Sequence, residues 1–143
     1  MCICDLLKYQ AMKTIRVSAA VIHHDGEIFA TRRGYGSFKG FWEFPGGKRE
    51  EGESGEEAIV REIKEELGAD IKVEKFLVTV EYQYPEFYLI MDCYLCTVIS
   101  GKLTLSVHDD ATWLKIADLD SVNWLPADIA VVEEIRKSFT LDI

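Results

Sequence analysis

Apolar and β-branched residues dominate two neighbouring runs, Ile15 to His23 and Glu27 to Thr31. Between them, His24-Asp25-Gly26 carries the Asp-Gly signal of a tight hairpin. His23 and His24 read as hairpin residues rather than ligands. Tyr35 to Gly40 is glycine-rich and reads as a loop leading to Phe41-Trp42-Glu43-Phe44. From Ser54 the period changes. Ser54 is a good N-cap, Glu57 completes a capping box, and Gly68 supplies the stop. At about 100° per residue, Ile59, Val60, Ile63 and Leu67 share one arc, the expected core-facing stripe. Glu62, Glu65 and Glu66 fall in a separate arc beside it. Ile71 to Tyr84 and Phe87 to Ser100 read as two long strands joined at Pro85-Glu86. Leu103 to Val107 and Ala111 to Leu114 read as short strands. Pro126 opens a final helix, on which Ile129, Val132, Ile135 and Phe139 are spaced to face a core.

Strands before and after a central helix, with a closing helix, predict one mixed α/β domain without internal repeats or linkers. Residues 1–11 fit none of this pattern and are too short and polar for a secretory signal. They read as an N-terminal extension, an upstream start or a non-native remnant, ahead of a single domain over residues 12–143.

Composition narrows the classes. The chain has 143 residues, 48% of them hydrophobic and 11% aromatic, which suits one globular domain with a real core. No apolar run approaches the length of a membrane span. The net charge is −9, and Gly47 to Asp70 holds nine acids against four bases. That balance argues against a nucleic acid polymer as partner. An anionic small molecule would need metal ions to approach this surface. The four cysteines are Cys2, Cys4, Cys93 and Cys96. Cys2 and Cys4 are too close for the usual zinc knuckle. Cys93 and Cys96 lie in a strand at an odd separation, which points them to opposite faces. Reduced thiols in a cytoplasmic protein are the better reading.

Chemistry enters at the central helix. Acids one turn apart repel by a few tenths of a kcal/mol per pair, about 0.2–0.5. A divalent cation would remove that repulsion, and hard cations such as Mg²⁺ take carboxylate oxygens. On the helix alone, a solvated face paired with Arg61 and Lys64 is the plainer reading. The preceding loop shifts the balance. Phe44-Pro45-Gly46-Gly47 lets a backbone come close to a ligand, and Glu53 is held just before the helix.

Gly47, five residues, Glu53, seven residues, then Arg61-Glu62-Ile63-Lys64-Glu65-Glu66-Leu67-Gly68 resembles the Nudix box. The family pattern is G-x5-E-x7-R-E-U-x-E-E-x-G-U, with U bulky and aliphatic. Only the last position departs, where Ala69 is small. The resemblance implies the Nudix fold, an α/β/α sandwich around a mixed sheet. It implies hydrolysis of a nucleoside diphosphate linked to another group, with Mg²⁺ as cofactor and Mn²⁺ as substitute. By motif position, Glu62, Glu65 and Glu66 are similar to the metal carboxylates, with the carbonyl of Gly46 as a further ligand. Arg61 resembles the arginine that orients a box glutamate. Glu53 matches the supporting first glutamate, and Glu62 is the expected general base.

Phe41-Trp42-Glu43-Phe44-Pro45-Gly46-Gly47-Lys48 and Leu125-Pro126-Ala127-Asp128-Ile129 look like the MutT branch, whose members act on CTP or 8-oxo-dGTP. That similarity runs from Met12 to about Phe139. It implies that Asp128 lies beside the base, with Phe44 and Arg32 or Arg33 near the substrate. An acidic residue in a helix's first turn explains Asp128 equally well, and a solvated pair explains the arginines. Relatives carry an acid just before a His in the late loop. Here Val107 precedes His108, with Asp109 and Asp110 as shifted substitutes. The leading expectation is a triphosphate pyrophosphohydrolase releasing a monophosphate and pyrophosphate, as monomer or homodimer. A Nudix hydrolase of nucleotide sugars or dinucleoside polyphosphates, and a non-catalytic nucleotide-binding module, are the alternatives.

Overall fold

The computed structural model describes residues 13–105 and 108–140. The expected extension at residues 1–11 and the Val107 departure lie outside the described residues. Seven strands form one sheet: β1 (Lys13–His24), β2 (Glu27–Arg33), β3 (Trp42–Glu43), β4 (Gly46–Lys48), β5 (Asp70–Gln83), β6 (Phe87–Ser100) and β7 (His108–Lys115). The order is β3-β2-β1-β6-β5, with β4 paired to β1 and β7 to β2. β1 and β6 run parallel from Lys13 opposite Phe87 to Ile22 opposite Cys96, and the other pairings are antiparallel. The sheet is therefore mixed, as expected.

Local signals explain the two sharpest features. Asp25 and Gly26 have φ of 49° and 79°, which makes the β1–β2 link a two-residue turn with both φ positive. Helix α1 (Gly55–Leu67) starts at Ser54, whose hydroxyl accepts the Glu57 N–H at 3.1 Å while its own N–H donates to Glu57 Oε1 at 3.0 Å. It ends at Gly68, which is left-handed.

The sheet separates two cores. On one face, Ala20, Ile22, Tyr94 and Cys96 pack against Ile59, Ile63 and Leu67 of α1. On the other, Ala19, Val21, Met91 and Cys93 pack against Val131, Val132 and Ile135 of α2 (Pro126–Thr140). Parity along β1 and β6 makes this division, so Cys93 and Cys96 do face opposite ways. Both are free and buried.

Four expectations are corrected. Val60 is 38% exposed and not part of the α1 stripe. The buried arc of α1 is centred nearer Gly55, Ala58 and Ile59, leaving Val60 at its edge. Ile129 is 50% exposed, because α2 instead turns Ala127, Asp128, Val131, Val132 and Ile135 inward. Residues 103–105 form no strand, although Leu103 and Leu105 pack on the α1-side core. The late strand is longer than Ala111 to Leu114, and a 3-10 turn over Ile116–Ser121 follows it, anchored by buried Leu119. No helix among the described residues is long and apolar enough to cross a membrane.

Candidate active site

Five acceptor atoms converge on one guanidinium. Arg61 Nε and Nη2 donate to the two Glu53 oxygens at 2.7 and 2.9 Å. Its Nη1 donates to Glu62 Oε1 at 2.9 Å and Glu65 Oε2 at 3.1 Å, and Nη2 also reaches the Lys48 carbonyl at 3.0 Å. Glu53 additionally accepts the Glu50 N–H at 2.8 Å. Arg61, and then this N–H, hold the Glu53 carboxyl down to about 2. Lys64 takes no part and pairs with Asp70 at 3.3 Å.

Glu62 and Glu66 are not on a solvated face. At about 100° per residue they fall between Ala58 and Ile59, inside the buried arc of α1. The Glu62 side chain is only 12% exposed. Its carboxylate lies against Gly47, where a Cβ would come within 2.4 Å of the carboxyl carbon. A side chain at this position would therefore displace the Glu62 carboxylate. Burial, then the Glu62 charge, push the Glu66 carboxyl above its usual range, against an opposing pull from His108. Two adjoining, desolvated carboxylates form an unfavourable pair that a hard cation would relieve. An all-oxygen donor set fits Mg²⁺ or Mn²⁺. Among the described residues, however, no three acidic, His or Cys side chains are gathered as a finished metal cluster. Glu65 is drawn to Arg61 instead. Gly46 is fixed in β4 opposite Ala19, with no room for a Cβ beside the Ser18 carbonyl.

Beside Gly46 and Gly47 opens a cavity of about 220 Å³. Arg33, Glu43, Phe44, Tyr84, Leu125 and Asp128 contribute to its lining. Phe44 stacks on Trp124 with ring centroids 4.6 Å apart. Asp128 is 4% exposed and accepts the Phe44 N–H at 3.0 Å. Burial pushes its carboxyl up to about 8, so at neutral pH it is mainly protonated. Arg33 also faces the cavity, but both its contacts, at 2.7 and 2.9 Å, go to the Glu43 carboxylate. Arg32 is not among the lining residues. Alternation along β2 turns it away to Asp109 at 2.8 Å and over the Trp42 ring. Asp109 is thus engaged at the sheet rim, and Asp110 accepts the Ala111 N–H.

Sequence reasoning did not single out Glu43 or His108. Glu43 joins Arg33 to His108, whose Nε2 lies 3.5 Å from Glu43 Oε2. The His108 side chain is buried and its Nδ1 has no hydrogen-bond partner. An acid flanked by Trp42 and Phe44 in a two-residue strand was the available signal, since charge in an aromatic run must find partners.

The NUDIX domain model matches residues 17–134. A CTP pyrophosphohydrolase of Escherichia coli is 32% identical over 123 residues, covering 85% of this chain and 91% of that one. An 8-oxo-dGTP diphosphatase of Proteus vulgaris is 36% identical over 94 residues, covering 64% of this chain and 84% of that one. The solution structure of the E. coli ORF135 protein superposes with a TM-score of 0.77 at 31% identity, covering 90% of this chain and 92% of the other. The box geometry, the mixed sheet between helices and these likenesses agree: the chain belongs to the NUDIX domain family.

Proposed function

We propose that this chain hydrolyses a nucleoside triphosphate to the monophosphate and pyrophosphate, with Mg²⁺ as its cofactor and Mn²⁺ as substitute. The observation that carries the reading is the Glu62–Glu66 pair. Both side chains are largely withdrawn from solvent and Glu62 is seated against Gly47, an arrangement with little structural benefit unless a cation joins it. Glu62 and Glu66 would hold the cation, with Glu65 and the Gly46 carbonyl completing the set. When bound, such an ion neutralises phosphate oxygens and lowers the pKa of a ligated water.

The chain's own groups do the rest. Arg61 fixes the direction of Glu62, which takes the proton of the attacking water. Glu53 keeps Arg61 in place through two contacts. The cavity beside Gly46 receives the base against Phe44. Asp128 keeps one oxygen on the Phe44 N–H and, protonated, offers the other to a base acceptor. Arg33 is neutralised by Glu43 and shapes the wall rather than attracting phosphate. The free, buried Cys93 and Cys96 suit a reducing cytoplasm.

The test is a panel of common, oxidised and methylated triphosphates, with ADP-ribose and a dinucleoside polyphosphate, assayed with Mg²⁺ for pyrophosphate and phosphate. Release of pyrophosphate from one or two triphosphates is expected. Turnover confined to ADP-ribose or the dinucleoside compound would replace this reading. Binding without any turnover would point to a nucleotide sensor.

A further inference from the structure

Ser18 of β1 pairs with Gly47 of β4 on one side and Asp92 of β6 on the other, and Asp92 pairs with Thr79 of β5. Parity puts this row on the face that carries α1, since Ala20 and Ile22 pack beneath that helix. Asp92 is a charged residue only 3% exposed. Its Oδ2 accepts Arg16 Nε at 2.9 Å, and its Oδ1 accepts the Thr79 hydroxyl at 2.7 Å and Arg16 Nη2 at 3.3 Å. A buried carboxylate needs such partners. Arg16 and Thr79 already supply them, so the second arginine calls for another explanation.

That arginine is Arg49, inside the five-residue spacer of the box. Its Nη1 lies 3.5 Å from Asp92 Oδ2, and its Nη2 donates to the Glu53 carbonyl at 3.0 Å. Its own N–H donates to the Arg16 carbonyl at 3.2 Å. A continuous path therefore runs from Asp92 through Arg49 to Glu53, and from the Glu53 carboxylate through Arg61 to Glu62 and Glu65. We propose that Asp92 is a positioning residue for the cation site, acting through Arg49 to fix the loop that carries Glu53. It rests on the proposed function only in taking the box carboxylates as cation ligands. Partners one step behind ligands commonly change metal affinity or activity by about 10–100-fold, and Asp92 and Arg49 act from further back, so the low end of that range applies.

The test is direct Mn²⁺ binding to the full chain by electron paramagnetic resonance, beside turnover of the preferred nucleotide. Arg49→Gln and Asp92→Asn should each weaken Mn²⁺ binding about tenfold. The double variant should be no worse than Arg49→Gln alone, because that substitution already cuts Asp92 off from the loop. KM for the nucleotide should stay within about twofold while kcat falls, and Arg49→Lys should recover part of the loss. Arg16→Gln, which removes the partner without a side-chain link to the loop, should bind Mn²⁺ like the wild type. Equal loss in Arg16→Gln, or unchanged Mn²⁺ binding in Arg49→Gln, would overturn the proposal. Arg49 sits on a loop, so its variant decides the matter even where Asp92→Asn fails to fold. A wild type that binds Mn²⁺ but hydrolyses nothing would sink the hydrolase reading alone. A wild type that binds no Mn²⁺ would sink this one.

Discussion

The Asp128 carboxyl group accepts the N–H of Phe44 at 3.0 Å, across 84 residues of chain. This contact ties the first turn of α2 to the segment that feeds the box. It also sets a titration. The carboxyl is buried, so its folded-state pKa of about 8 lies well above the unfolded value. The folded protein then holds a proton that the unfolded chain has released, and stability falls as pH rises through this window. Asp128→Asn keeps the acceptor and removes the titration. From pH 5 to about pH 8, the wild type should lose stability relative to the variant, by up to roughly 1.4 kcal/mol per pH unit. Urea unfolding of both proteins at pH 5, 7 and 9 measures this. A gap that stays constant would mean that Asp128 titrates normally.

Asp128→Ala tests base reading. Losing one hydrogen bond to the base should raise KM for the preferred nucleotide about tenfold, the scale of one such bond. Nucleotides that make no use of the contact should change little. A uniform rise across all bases would mean that Asp128 only holds the Phe44 segment.

Much of the fold was legible because its causes are local. The hairpin depends on Asp25 and Gly26 alone, and α1 is bounded by Ser54, Glu57 and Gly68 within its own sequence. The box residues were legible because their spacing is a resemblance, not a packing result. What escaped depends on distant partners. The inward face of α2 is set by the cavity wall, so Asp128 took a core position and Ile129 an exposed one. Glu43 needs Arg33 and His108 to explain it, and Asp92 needs Arg16, 76 residues earlier. Periodicity gave the direction of the α1 stripe but not its limits. Val60 therefore falls at its edge, and Glu62 and Glu66 within it.

Gly47→Ala should separate site from fold. A Cβ there meets the Glu62 carboxyl carbon at 2.4 Å, and Gly47 is not among the glycines with positive φ. The clash is therefore with the end of one side chain, not with backbone geometry. Thermal unfolding should move little, while kcat should drop on the order of 100-fold as Glu62 is displaced. Gly46→Ala is the contrast. Its Cβ would come within 2.0 Å of the Ser18 carbonyl, so it should disturb β1–β4 pairing and lower the melting temperature. Normal turnover in Gly47→Ala would show that Glu62 need not sit where it does.

Glu62→Gln and Glu66→Gln each remove one charge from the buried pair. Both should cut kcat by about 100-fold or more, and both should weaken Mn²⁺ binding. Without the cation, Glu66→Gln should be at least as stable as the wild type, because burial and then the Glu62 charge, which push the Glu66 carboxyl up, no longer act on a titrating group, whereas Glu62→Gln weakens a charged contact with Arg61. Near-normal turnover in both variants would remove these residues from the reaction.

Arg61→Lys tests whether the guanidinium acts as a geometric clamp or as a charge. Arg61 contacts Glu53 twice, Glu62 and Glu65 once each, and the Lys48 carbonyl. An ammonium keeps the charge but has no planar fork with which to satisfy Glu53 and Glu62 together. Turnover should fall about 10–100-fold with KM little changed. Acid stability gives an independent reading. The depressed Glu53 pKa, about 2, contributes stability above the unfolded carboxyl value that is lost only as pH falls towards 2. Weakening the clamp raises that pKa, so the acid-unfolding midpoint of Arg61→Lys should move to higher pH. A variant with wild-type turnover and wild-type acid stability would show that charge alone suffices at this position.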